Sequence, residues 1–147
     1  MASRPCGSKR PSEAKGVDTP VPYRIALDVM GGDHAPRATL EGAKAALAER
    51  RDLQLLLVGD EDLLRPLLAH HGLTGELLRR TELVNAKSVV SMDDKATCIL
   101  KDKKDSSIRV AAQLVQDGRA EGIVSMGHTG AAMVASLKVM GTLPGVD

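Results

Sequence analysis

The sequence predicts an α/β fold with helices on both faces of a mostly parallel sheet. Three observations carry that prediction. Short apolar runs alternate with longer segments of helical period. The runs are nearly continuous in Leu, Ile, Val and Ala, as strands buried on both faces are. The first and last runs each end in a glycine-containing turn that opens a helix, outside the carboxyl ends of the strands where such sheets bind ligands.

Residues 1–22 come before the first run. They are rich in Pro, Ser, Gly and Lys without apolar period and are expected to form a disordered extension. The domain proper is expected over 23–147. "YRIALDV" is the first strand, ending in Asp28. "APRATLEGAKAALAER" follows as a helix with Leu40, Ala43 and Leu47 on one face and Pro36 marking its start. "DLQLLLVGD" is the second strand, and "EDLLRPLLAHHG" a short helix, kinked or delayed by Pro66 and stopped at Gly72. "TELVNA" is the third strand. "SMDDKATCILKDKKDSS" mixes a short helix with charged turns. In "SIRVAAQLVQDG", Ile108, Ala111, Ala112 and Val115 share a face, with Asp105 or Ser106 as cap and Gly118 as stop. "EGIVSMG" is the fourth strand, and "HTGAAMVASLKVMG" a last helix that is apolar almost all round. So little polar face needs cover on several sides, from another subunit or from further chain.

Composition narrows the function. There is no Trp or Phe, and Tyr23 is the single aromatic, so packing rests on Leu, Val, Ile, Ala and Met. A net charge of +1 and the missing stacking platforms argue against a nucleic-acid partner. No apolar run approaches the roughly 20 residues of a membrane span. Cys6 lies in the polar tail and Cys98 in "ATCIL"; a disulfide between them is not expected, and a reducing cytoplasmic location is the simpler inference. Metal-ligand spacings are absent, as is the G-x-G-x-x-G dinucleotide fingerprint, so neither a metal nor a cofactor is expected. Without those glycines, Asp60 is a weak imitation of a ribose-binding acid.

The loops carry the chemistry. "SMGHTGA", Ser125 to Ala131, presents unpaired backbone N–H groups and the positive end of a helix dipole, with the Thr129 hydroxyl beside them. That is an anion site; the alternative is a plain helix start capped by Thr129. In "MGGDHAP", Gly31 and Gly32 allow close backbone approach. Asp28 and Asp33 would repel a phosphate there unless their carboxylates are engaged by backbone N–H groups or by a partner's proton. His34 serves as a general acid, a phosphate donor or a helix-start residue. Of the lysines between Asp93 and Ser107, Lys95 in "MDDK" best suits a phosphate or an acidic partner protein, although charge runs are usually solvated faces.

"RIALDVMGGDHAP", "LLLVGDED", "MDDK", "KKDSSIRVAAQLVQDGRAEGIVSMGHTGA" and "GTLPGVD" together resemble the PlsX family of bacterial phosphate acyltransferases. The match runs in order from Arg24 to Asp147 but reaches only the N-terminal half of a family member. The resemblance implies a three-layer α/β/α sandwich, similar to that of the phosphotransacetylases and incomplete in this chain, and a homodimer. It also implies transfer of a fatty acyl group from acyl carrier protein to inorganic phosphate, with membrane contact made only by the absent C-terminal half. Applied to these residues, it gives phosphate and substrate contacts to Asp28, Gly31, Gly32, Asp33, His34, Ser125, Gly127 and Gly130, and catalytic contacts to Lys95, His128 and Thr129. Direct attack by phosphate is preferred to an acyl-enzyme, because no Ser–His–Asp arrangement is readable. Two alternatives stand: a coenzyme-A-dependent acetyl or butyryl phosphotransferase, and a non-catalytic dimerising or ligand-binding fragment. The isolated chain is expected to be inactive and poorly soluble. His128 replaces the family's usual Asn; the simpler reading is that it fills the same structural place, the bolder one that it protonates the leaving thiolate.

Overall fold

A computed structural model describes residues 22–145. Residues 1–21 of the expected extension, Cys6 among them, and the last two residues lie outside the described residues. The elements run β1 (Tyr23–Asp28), α1 (Arg37–Glu49), β2 (Leu53–Gly59), α2 (Glu61–His70), α3 (Gly75–Arg79), β3 (Thr81–Asn85), α4 (Cys98–Lys101), α5 (Ser107–Gln116), β4 (Gly122–Ser125) and α6 (Thr129–Val139). The four strands form one all-parallel sheet in the order β3-β2-β1-β4. The three-layer α/β reading holds.

Alternation along the strands divides the core. Leu27, Leu55 and Leu57 face α1 and α2, packing on Leu40, Ala43, Leu47, Leu64 and Leu68. Ala26, Leu56 and Val58 face the opposite way, onto Ala111 and Leu114 of α5. The outer side of α5 presents Ile108 and Ala112 to Ile99 of α4 and to Ala131 and Ala135 of α6. Small residues let the last two helices approach closely, which aromatic-free packing of this kind requires. The outer face of α6 stays uncovered: Met133 is 65% exposed and Leu137 47%. This agrees with the expectation that α6 needs further cover.

Local signals account for the ends of the helices. Pro36 is the N-cap residue of α1. Pro66 neither delays α2 nor ends it; the helix runs from Glu61 through to His70 with the proline inside. Asp60 caps α2, its Oδ1 accepting from the N–H groups of Asp62 and Leu63. α3 was not expected; it begins at Gly75, whose φ of +55° turns the chain. In α5, Ser106 takes the cap position without a side-chain bond, while Asp105 accepts from Ser88 instead. Leu114 of α5 is buried, and Val115, expected on the inner face, is only half-buried.

One surface contact matters for register. The backbone N–H and the guanidinium of Arg24 both donate to the Glu121 carboxylate, and the Glu121 N–H returns a bond to the Arg24 carbonyl. The Arg24 hydrogen bond holds the Glu121 carboxyl below the usual carboxylate range. An exposed pair of this kind contributes only about 0–1 kcal/mol. Its position is the useful part: it aligns the start of β4 with β1, which sets Ser125 opposite Asp28 at the far end.

Candidate active site

The strand order reverses between β1 and β4, since β2 lies on one side of β1 and β4 on the other. A crevice outside the carboxyl ends of the strands at such a reversal is the usual ligand site of this architecture. Both glycine loops emerge there.

Asp28 ends β1 almost fully buried, at 3% exposure. Its Oδ2 accepts from the Ser125 hydroxyl at 2.8 Å and its Oδ1 from the Met30 N–H at 3.2 Å. Ser125 Oγ in turn accepts from the Gly127 N–H at 3.2 Å. The carboxyl that would have opposed a phosphate is thus engaged by a hydroxyl and a backbone amide.

The loops cross at their glycines. A Cβ on Gly31 would lie 2.7 Å from Asp28 Oδ2, 2.9 Å from Gly127 N and 3.0 Å from Ser125 Oγ. A Cβ on Gly127 would lie 3.0 Å from Gly31 Cα. Gly32 needs its own freedom at φ +106°, and a Cβ there would lie 3.2 Å from the Met126 carbonyl oxygen. Asp33 and His34 are not drawn into this cluster. Both are exposed, and neither side chain bonds to another described residue; only the His34 carbonyl is used, by the Ala38 N–H.

At the head of α6 the cap is His128, not Thr129. Its Nδ1 accepts from the Ala131 N–H at 3.2 Å, and its Nε2 lies 3.1 Å from the Asp94 carbonyl oxygen. Nδ1 accepts, so the ring hydrogen belongs on Nε2, donated to Asp94. Gly127 gives its N–H to Ser125 and Ala131 gives its own to His128. Among the described residues, no acceptor meets the N–H of Thr129 or Gly130. These two, with the exposed Thr129 hydroxyl, are the open donors at the positive end of the helix.

Residues 94–96 run along this helix start. The Asp94 carbonyl meets His128, and a Cβ on Gly130 would lie 3.2 Å from Ala96 Cβ. Lys95 stands between them, exposed. The lysine that holds the segment is Lys103, whose Nζ donates to the Val89 carbonyl at 2.7 Å and to Asp94 Oδ2 at 2.5 Å. This bond, with one from the Ser91 N–H, keeps the Asp94 carboxyl below its usual range. A lowered carboxyl stabilises above the unfolded value, and that contribution fades as pH falls through the lowered one. The Lys103–Asp94 contact under His128 is therefore intact at neutral pH and is lost progressively as pH falls below the ordinary carboxylate range.

Both ring nitrogens are engaged here, Nδ1 as acceptor and Nε2 as donor, which favours the reading that His128 fills the structural place of Asn. A His128→Asn enzyme is expected to keep the cap through its amide oxygen and lose the bond to Asp94, at about 0.5–1.5 kcal/mol of stability. Its kcat/KM profile from acid to alkaline pH should overlay the wild type. A lost ionisation in the variant would restore the catalytic role.

An arginine-lined cavity lies elsewhere. It holds about 270 Å³ beside Arg24, Arg79, Arg80 and Arg119, at the amino ends of the strands. Arg24 and Arg119 are spent on Glu121 and Glu82, and Arg80 on the Leu47 and Arg50 carbonyls.

Proteins called "Phosphate acyltransferase" match from Koribacter versatilis (45% identity over 127 residues), Heliobacterium modesticaldum (48% over 124) and Nitrosococcus oceani (46% over 123). They cover 84–86% of this chain, while the chain spans only 34–36% of each relative, about a third of its length. Residues 23–147 match the family described as "Fatty acid synthesis protein". On the strength of that match across the whole β1-to-α6 region, the chain belongs to the fatty acid synthesis protein family, that of PlsX.

Proposed function

We propose that the protein to which this chain contributes transfers a fatty acyl group from acyl carrier protein to inorganic phosphate, yielding acyl phosphate. The observation that carries the reading is the crossing of the two glycine loops at the strand-order reversal, with the Thr129 and Gly130 N–H groups left open beside it. The names of the relatives agree with it.

A phosphate oxygen attacks the thioester carbonyl, an oxyanion forms, and the C–S bond breaks as the thiolate leaves and takes up a proton. The reaction needs one cradle for phosphate and another for the oxyanion. Thr129 and Gly130 N–H groups supply fixed donors for one of these, and a single oxyanion donor is worth about 10²–10³ in rate. Lys95 brings a cation to the same helix start, suited to phosphate or to the acidic carrier. Asp28 and Ser125 hold Gly127 and the turn in place. Asp33 and His34 remain at the rim, where only a bound substrate would engage them. The uncovered Met133 and Leu137 fit a second copy or the remaining chain, so the isolated 147 residues should be inactive.

The test is to supply the full-length protein with labelled phosphate and either carrier-bound or coenzyme-A-bound fatty acyl groups. Acyl phosphate from the carrier thioester is the expected product. Turnover restricted to short coenzyme A thioesters would establish the phosphotransacetylase reading instead.

A further inference from the structure

We propose that Lys103 is a positioning residue for the anion site at the head of α6, an inference that rests on the acyl-transfer reading above. Lys103 bonds to neither Thr129 nor Gly130. It acts on them through residues 94–96.

The Lys103 ammonium joins the two ends of the loop 89–94. It donates to the Val89 carbonyl at 2.7 Å and to Asp94 Oδ2 at 2.5 Å. Both backbone groups of Lys103 are fixed as well. Its N–H donates to the Cys98 carbonyl, and its carbonyl accepts from the Ser106 N–H. The ammonium is therefore held from the α4–α5 connection, outside the loop that it closes. Lys101 and Lys104 lie close by in the chain, yet their side chains are exposed and bond to none of the described residues.

Asp94 passes that placement on. Its carboxylate takes the ammonium and the Ser91 N–H, while its carbonyl meets His128 Nε2 at 3.1 Å. Nδ1 of the same ring accepts from the Ala131 N–H, one residue beyond Gly130. Ala96 packs on the same turn, since a Cβ on Gly130 would lie 3.2 Å from its Cβ. The first turn of α6 thus rests on a segment that Lys103 holds. Lys95 lies between Asp94 and Ala96, so the same bond sets the cation beside the site. The entry to this segment has its own anchor, Ser88, bonded to Asp105 and to the Ser107 N–H. Beyond Ser88, the loop 89–94 is tied to the α4–α5 connection by Lys103 alone among the described residues.

Charge and placement predict opposite outcomes at Asp94. If only charge counted, removing its carboxylate would draw phosphate in more tightly. If placement counts, the same change frees the ammonium and loosens the carbonyl under His128, and phosphate binds less well. Substitutions in a contiguous hydrogen-bond network that touch no ligand shift binding by roughly two- to thirtyfold.

The experiment titrates inorganic phosphate into the full-length protein without thioester, following heat or the phosphorus resonance. Lys103→Met and Asp94→Ala should each raise the phosphate Kd on the order of tenfold. The double variant should lose no more than either alone, because both changes break one route. Lys104→Met removes the same charge from an exposed, unbonded side chain and should change Kd less than about twofold. An unchanged Kd in Lys103→Met overturns the proposal, as does tighter binding by Asp94→Ala or an additive loss in the double variant. If Lys103→Met does not fold, the sign of the Asp94→Ala change decides. A wild type that binds phosphate yet forms no acyl phosphate loses the reaction assignment and keeps this role of Lys103. A wild type that binds no phosphate overturns the anion site and this role together.

Discussion

Gly31→Ala is expected to reduce acyl transfer by the full-length protein by about 10² or more and to destabilise it by about 1–3 kcal/mol, the usual cost of overpacking. The reason is local and steric. A methyl group at this position meets Asp28 Oδ2, Gly127 N and Ser125 Oγ at 3.0 Å or less. None of these is the free end of a long side chain. Two belong to short side chains fixed by mutual hydrogen bonds and one to backbone. The loops must separate, which misplaces the Thr129 and Gly130 N–H groups relative to whatever they bind. A misplacement of about 1 Å can cost about 10²-fold in rate. Gly42→Ala is the internal control, since its new methyl meets nothing and relieves a helix of glycine, a gain of about 0.5–1 kcal/mol. Near wild-type kcat/KM in Gly31→Ala would show that the crossing does not position the reaction.

Asp28→Ala should have the second largest effect. The Asp28 carboxyl is the buried acceptor for the Ser125 hydroxyl and the Met30 N–H. Its removal leaves two part-buried donors without their acceptor, each costing up to about 1–3 kcal/mol. It also releases Ser125, the acceptor that fixes the Gly127 N–H. Stability and kcat should fall together, kcat by about tenfold or more as the α6 turn loses its fixed geometry. Ser125→Ala removes one donor along with one acceptor and should be milder on both measures. Equal melting temperatures and kcat for Asp28→Ala and the wild type would remove Asp28 from the supporting structure.

The contrast between these two sites explains how much could be read from sequence. The strands, and all but one of the helices, are local patterns. "DLQLLLVGD" can only be a buried strand at that length, and Leu40, Ala43 and Leu47 mark the inner face of α1 by period alone. The glycines of both loops stand out for the same reason. Strand order is not local. Asp28 and Ser125 are 97 positions apart, and only the β1–β4 register makes them partners. Ser125 was accordingly legible as part of a turn but not as the hydroxyl that occupies Asp28.

The caps went astray where two residues competed. Thr129 is the better cap by type, yet the His128 ring folds back onto the Ala131 N–H and is held there by Asp94. A polar residue immediately before a glycine-interrupted helix start carried the signal, though the resemblance directed attention to its chemistry. Asp60 followed by Glu61, Asp62 and an apolar run is an ordinary helix-start pattern; weighing it only against a ribose-binding acid, and rejecting that, left the cap unread. Among the lysines, exposure separates the roles. Lys103 is tied to Asp94 and Val89, whereas Lys95 is exposed and bonds to none of the described residues.

The central claim is that an anion binds where the two loops cross, at the start of α6. Its most direct test is a crystal of the full-length protein soaked in phosphate. Density within hydrogen-bond reach of the Thr129 and Gly130 N–H groups, with Gly31 and Lys95 flanking it, is the predicted result. Density confined to other places, such as the arginine cavity at the amino ends of the strands, would contradict it.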